Sequence, residues 1–137
     1  RRLYFYDYAS ISFDGYEQAL FEKAKNAFRT GRQLCDEHDI RLVLFYVPMK
    51  FRVYGDSCTF PPGSPCTDWH PWRLVDHFRE FCEQESIRFV DLAEPMREAA
   101  SMGRVLYSPE DSHWSAQGHA FVAELLRLEW EHLAASA

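Results

Sequence analysis

Leu42-Val43-Leu44-Phe45-Tyr46-Val47 is the segment that most limits what this chain can fold into. Six apolar residues stand in a row between Arg41 and Pro48, with no polar alternation to turn one face toward water. A run of this kind is a strand covered on both faces, and such strands belong to parallel sheets flanked by helices. The surrounding segments agree. Between Tyr16 and His38, residues Leu20, Ala24, Ala27, Phe28, Leu34 and Cys35 recur at three- and four-residue steps, which predicts an amphipathic helix. Gly31 weakens its last turns. Pro71 opens a second helix with the stripe Leu74, Val75, Phe78, Phe81 and Cys82. Ser86–Leu92 reads as the next strand, and a short helix over 95–101 leads through Gly103 to a brief strand, Val105–Tyr107. Ser115 is placed to cap a closing helix that runs to about Leu133. Helices alternating with strands predict an α/β fold with a parallel sheet flanked by helices.

Too few strands are supplied for that sheet. A doubly wound domain usually carries about five, and the Leu42–Val47 run expects neighbours on both sides. The aromatic opening stretch (Tyr4, Phe5, Tyr6, Tyr8, Phe13) has no clean period and reads as an extended arm. Pro48 to Trp69 reads as one long loop, well beyond the usual connection. At 137 residues the chain suits one domain, with enough length to bury a core. The start, Arg1-Arg2-Leu3, lacks a Met. The expectation is a single α/β domain over residues 1–137 that is part of a longer one. A missing half, or a partner chain, would then cover the sheet edge.

Charge narrows the partners. The chain carries a net charge of −6 and shows only Lys50 and Arg52 as a basic pair, so neither nucleic acid nor an anionic membrane surface is an expected partner. Of the four cysteines, Cys35 and Cys82 lie in apolar helical patterns and read as buried free thiols. Cys58 and Cys66 flank a Pro- and Gly-rich loop and form a disulfide candidate in an oxidising compartment. Their spacing with His70 fits no standard zinc pattern, so neither a metal nor another cofactor is expected.

The densest polar cluster runs from Ser108 to His119, in the turn before the last helix. Asp111 and His113 stand two apart, so their side chains share a side in an extended segment. A carboxylate so placed holds an imidazole in one tautomer and stabilises its protonated form, and histidine titrates in the range a general base needs. Alone, an Asp-x-His spacing is equally a capped turn with a surface histidine. Asp111-Ser112-His113-Trp114-Ser115-Ala116-Gln117-Gly118, however, resembles the Asp-x-His-Trp signature of the SGNH (GDSL-like) hydrolase superfamily, in its alginate O-acetyltransferase-like branch. Pro48-Met49-Lys50-Phe51-Arg52-Val53-Tyr54 resembles that branch's Pro-x-Lys-x-x-Val-Tyr, and Asp91-Leu92-Ala93-Glu94-Pro95 its turn after the second strand.

The resemblance implies a flavodoxin-like three-layer sandwich, here incomplete. It also implies a serine ester hydrolase or carbohydrate O-acyltransferase, acting on an acyl ester or carbohydrate in an extracytoplasmic, periplasmic setting. His113 would be the general base and Asp111 its orienting carboxylate. Gly55-Asp56-Ser57 imitates the family's nucleophile block, but it lies eight residues past the strand, with no helix after it. Ser57 is therefore the lesser candidate, and the nucleophile is expected outside this chain. Lys50, Arg52 and Trp114 are candidates for substrate contact; Tyr46 and Trp69 read as sugar-stacking or core aromatics. The competing reading is a non-catalytic module that binds glycan or a partner through Pro48–Trp69. A structural fragment with an open sheet edge is the third.

Overall fold

The computed structural model describes residues 2–5, 13–70 and 73–135. Two compact units are built from interleaved stretches of chain. One gathers the described residues of Tyr8–Val47 and Asp68–Asp91, the other those of Arg1–Asp7, Pro48–Thr67 and Leu92–Ala137.

The first unit holds the sheet. Helix α1 spans Gly15–Glu37, strand β1 Val43–Tyr46, helix α3 Leu74–Gln84 and strand β2 Arg88–Asp91. The two strands pair in parallel, Val43 opposite Arg88 and Tyr46 opposite Asp91, which is the pairing the apolar run predicts. Each residue of β1 is only half-buried, and Val47 beyond it is exposed, so the expected burial on both faces is not reached. The core is Phe81, Cys82 and Ile87, with Phe21, Phe28, Leu42, Leu44 and Phe89 packed on it. Asp14 caps α1 by accepting from the Tyr16 amide at 3.1 Å. The packing stripe of α1 runs through Phe21 and Phe28, whereas Leu20 and Leu34 are exposed, a correction to the predicted face. Cys82 is fully buried and Cys35 half-buried, both as free thiols. The expected opening of α3 at Pro71 lies outside the described residues, as do Tyr6 and Tyr8.

The second unit is mostly helical. Here the long loop after Pro48 is corrected: Lys50–Tyr54 forms helix α2, followed by 3-10 turns at Gly55–Ser57 and Pro65–Asp68. Five residues are too few for a readable period, yet Phe51, Val53 and Tyr54 are all buried. Helix α4 spans Ala93–Ser101 and buries Ala93, Met96 and Ala99; helix α5 spans Ala116–Ala135. Leu92, Met96 and Leu106 are among the most enclosed side chains. The expected strand Val105–Tyr107 reduces to one antiparallel bridge, Tyr107 to Trp114.

Candidate functional site

That bridge closes a loop. The Ser108 amide donates to the His113 carbonyl at 2.9 Å, and the Ser115 amide donates to the Leu106 carbonyl at 2.9 Å. Residues 108–113 are thus held at both ends while the tip stays accessible. Within the loop, Asp111 Oδ1 accepts the His113 backbone amide at 2.8 Å, the local bond that makes Asp a turn former. The same oxygen lies 3.5 Å from His113 Nδ1. That separation is an electrostatic contact, longer than a strong hydrogen bond. The imidazole is 85% exposed and the carboxylate 44%. The Asp111 carboxyl is held below its ordinary value, first by the His113 amide and, against a smaller opposing effect of burial, by the His113 ring and Ser108.

The chain after the loop explains why Ser115 and Gly118 stand where they do. Ser115 Oγ accepts the Gly118 amide at 3.0 Å, capping α5 as its sequence position predicts. Its hydroxyl also donates to the Val105 carbonyl. A Cβ on Gly118 would lie 1.9 Å from the Leu106 carbonyl oxygen, so only glycine lets α5 come this close to the segment that carries the loop. Trp114 is half-buried, its ring 5.3 Å from that of His119 in an edge-on arrangement.

Underneath lies α2. Lys50 is 5% exposed, and its ammonium donates to the carbonyls of Tyr4 (2.7 Å), Ser108 (2.7 Å), Pro109 (2.9 Å) and Asp111 (3.1 Å). Burial lowers its pKa from the usual lysine value, opposed by the charges of Asp111 and Cys58. The Tyr107 hydroxyl donates to the Pro48 carbonyl. Tyr54 Oη donates to the Arg104 carbonyl at 3.0 Å and accepts from the Leu106 amide at 2.7 Å. Pro48, Lys50 and Tyr54 therefore hold three points along residues 104–111. The Pro-x-Lys-x-x-Val-Tyr pattern was legible in the sequence; that Tyr54 and Tyr107 brace the loop was not, because their partners are distant in the chain.

The expected exposure of Lys50 at a substrate edge is thus corrected: its donors are consumed inside the unit. Arg52 is half-buried on the same helix. Ser57 is exposed and ends a 3-10 turn rather than a strand-to-helix elbow. Among the described residues no hydrogen bond joins Ser57 to His113. Cys58 and Cys66 are free, half-buried thiols. Both line a cleft of about 1160 Å³ together with Tyr4, Phe5, Phe60 and Arg104. Burial, then the neighbouring Cys66, pushes the Cys58 thiol up. Tyr46 and Trp69 are half-buried, His70 is exposed, and His77 stacks on Phe13 at 4.4 Å. Among the described residues no group of three or more His, Cys, Asp or Glu is arranged to hold a metal ion.

A family model described as an SGNH hydrolase-like domain, acetyltransferase AlgX, matches residues 4–134. The probable alginate O-acetylase AlgJ of Pseudomonas putida is 31% identical over 113 residues, covering 82% of this chain and 28% of the relative. The chain therefore spans about 28% of the length of that curated relative. No solved structure matches the chain significantly. With a family match over almost its whole length, this chain belongs to the SGNH hydrolase-like family of the acetyltransferase AlgX type.

Proposed function

We propose that this chain supplies the histidine–carboxylate half of a serine-dependent O-acyltransferase or ester hydrolase site, as part of a longer SGNH-like domain. The observation that carries the reading is Asp111 Oδ1, which takes the His113 amide at 2.8 Å and lies 3.5 Å from Nδ1 of the same residue. A carboxylate there favours the tautomer with the proton on Nδ1 and leaves Nε2 free to accept one. A serine hydroxyl from elsewhere in the full protein attacks the acyl carbonyl and gives its proton to Nε2. Asp111 stabilises the imidazolium so formed. As the tetrahedral intermediate collapses, the proton passes to the departing alkoxide and an acyl-serine remains. Water or a sugar hydroxyl then attacks the acyl-serine, His113 takes its proton, and as the second intermediate collapses His113 returns that proton to the departing serine oxygen.

The relative named as an alginate O-acetylase supports a uronate polysaccharide as acceptor and acetyl as the transferred group. Arg52 and Trp114 are the candidates for substrate contact. An extracytoplasmic location belongs to this reading. No described helix is long and apolar enough to cross a membrane.

The test is turnover of p-nitrophenyl acetate by the full-length protein. His113→Ala should lower kcat by about 10²–10⁴-fold, the usual share of a general base. Ser57→Ala should leave the rate intact. An unchanged rate in His113→Ala sinks the assignment, and loss of activity in Ser57→Ala would make Ser57 the nucleophile. The cleft beside Tyr4, Phe5 and Phe60 favours one second reading, a glycan-binding module. It predicts saturable glycan binding that survives substitution of both Asp111 and His113.

A further inference from the structure

Lys50 is the least expected side chain in the molecule. A buried lysine normally faces a carboxylate, but the four acceptors around this ammonium are all backbone carbonyls. Carbonyl oxygens only accept, so this cage suits the protonated amine with all three of its hydrogens. Three of the four belong to the loop that carries Asp111 and His113; the fourth, Tyr4, is also joined to the loop, its amide donating to the Pro109 carbonyl at 2.8 Å. The Phe5 ring lies over the same ammonium, 5.6 Å from its centroid.

We infer that Lys50 is a positioning residue for the Asp111–His113 pair, a buried cation that draws the carbonyls of Ser108, Pro109 and Asp111 inward and so fixes the loop bearing the pair. The inference rests on the catalytic reading of His113 proposed above. With its carbonyl turned in toward Lys50, Asp111 keeps its carboxylate at the accessible side of the loop, where Oδ1 meets the His113 amide and ring. Without the ammonium, the Ser108 and Asp111 carbonyls would face an apolar side chain without the donor they have now, Pro109 would keep only the Tyr4 amide, and the loop would turn to find water. Arginine is a poor replacement, because a planar fork cannot converge on four oxygens around one point.

Two measurements on the full-length protein decide it. Lys50→Met should lower kcat about 10²-fold with KM within about twofold, as expected when a reacting group is displaced while substrate binding is unimpaired. In the same variant, deuterium exchange should rise about tenfold in the peptide covering residues 106–115 and stay unchanged across α4. If Lys50→Met fails to fold, amine acylation of the native protein reads the cage directly: Lys50 should react at least about tenfold more slowly than exposed Lys23. Unchanged kcat, unchanged exchange, or acylation as fast as at Lys23 overturns the inference. An active His113→Ala protein instead removes the reading beneath it, whatever Lys50→Met does.

Discussion

At the residue scale, the loop over residues 108–113 sets its charge with its own atoms. Asp111 has a folded pKa below its ordinary 3.8, because the His113 amide favours the ionised carboxylate. A depressed carboxyl pKa contributes stability that is complete above the unfolded value and lost as pH falls through the folded one. The stability difference between the native protein and Asp111→Asn should therefore be flat above about pH 3.8 and shrink below it. Denaturant midpoints measured across that range check this, and a difference that stays constant down to the lowest accessible pH would rule it out. Gly118 makes the other residue-scale prediction. Adding one methyl drives a Cβ into the Leu106 backbone carbonyl, so Gly118→Ala should destabilise by at least about 2 kcal/mol, despite alanine's better helix propensity. A midpoint equal to the native protein's would show that α5 shifts without cost. Both residues lie in the Asp-x-His-Trp block, where sequence was informative for the cap and the turn because each involves residues two or three positions apart.

At the scale of elements, three helices end in the same way. Asp39 after α1, Ser86 after α3 and Gly103 after α4 all adopt positive φ, at 55°, 55° and 87°. In each case the following amide reaches back five residues: Ile40 to Cys35 and Ile87 to Cys82 at 2.8 Å, Arg104 to Ala99 at 3.1 Å. This is the left-handed helix stop, which glycine makes at least cost. Only Gly103 announced itself in the sequence, since Asp39 and Ser86 are not residues that mark the motif. Ser86→Gly should stabilise the protein by about 1 kcal/mol, by removing left-handed strain at a position with no helix to weaken. Thermal midpoints test it, and a fall in midpoint would mean that the Ser86 side chain matters more than its backbone. The boundaries of α1 and α5 were readable because their apolar spacing is long enough to repeat; for α3 the same spacing located the helix, which runs over Leu74–Gln84. Helix α2 was not, since five residues complete barely more than one turn.

At the scale of the molecule, composition sets collective behaviour and long-range contacts set the site. With a net charge of −6 at pH 7 and a pI of about 5.5, the chain should be least soluble near pH 5.5 and regain solubility on either side. Turbidity against pH checks this; a minimum near neutrality would point to association through apolar surface instead. By itself the sequence determined the alternation of helix and strand, the parallel pairing and the cap at Ser115. Each of these is written in periodicity or in neighbours within one turn of chain. Tertiary structure alone decided that the basic pair after β1 splits into a caged ammonium and a half-buried guanidinium, that Tyr54 and Tyr107 brace the segment carrying Asp111 and His113, and that position 118 admits only glycine against Leu106. Lys50 finds its acceptors 46 to 61 residues away, and no local pattern encodes which distant carbonyls will meet a lysine once the chain is folded.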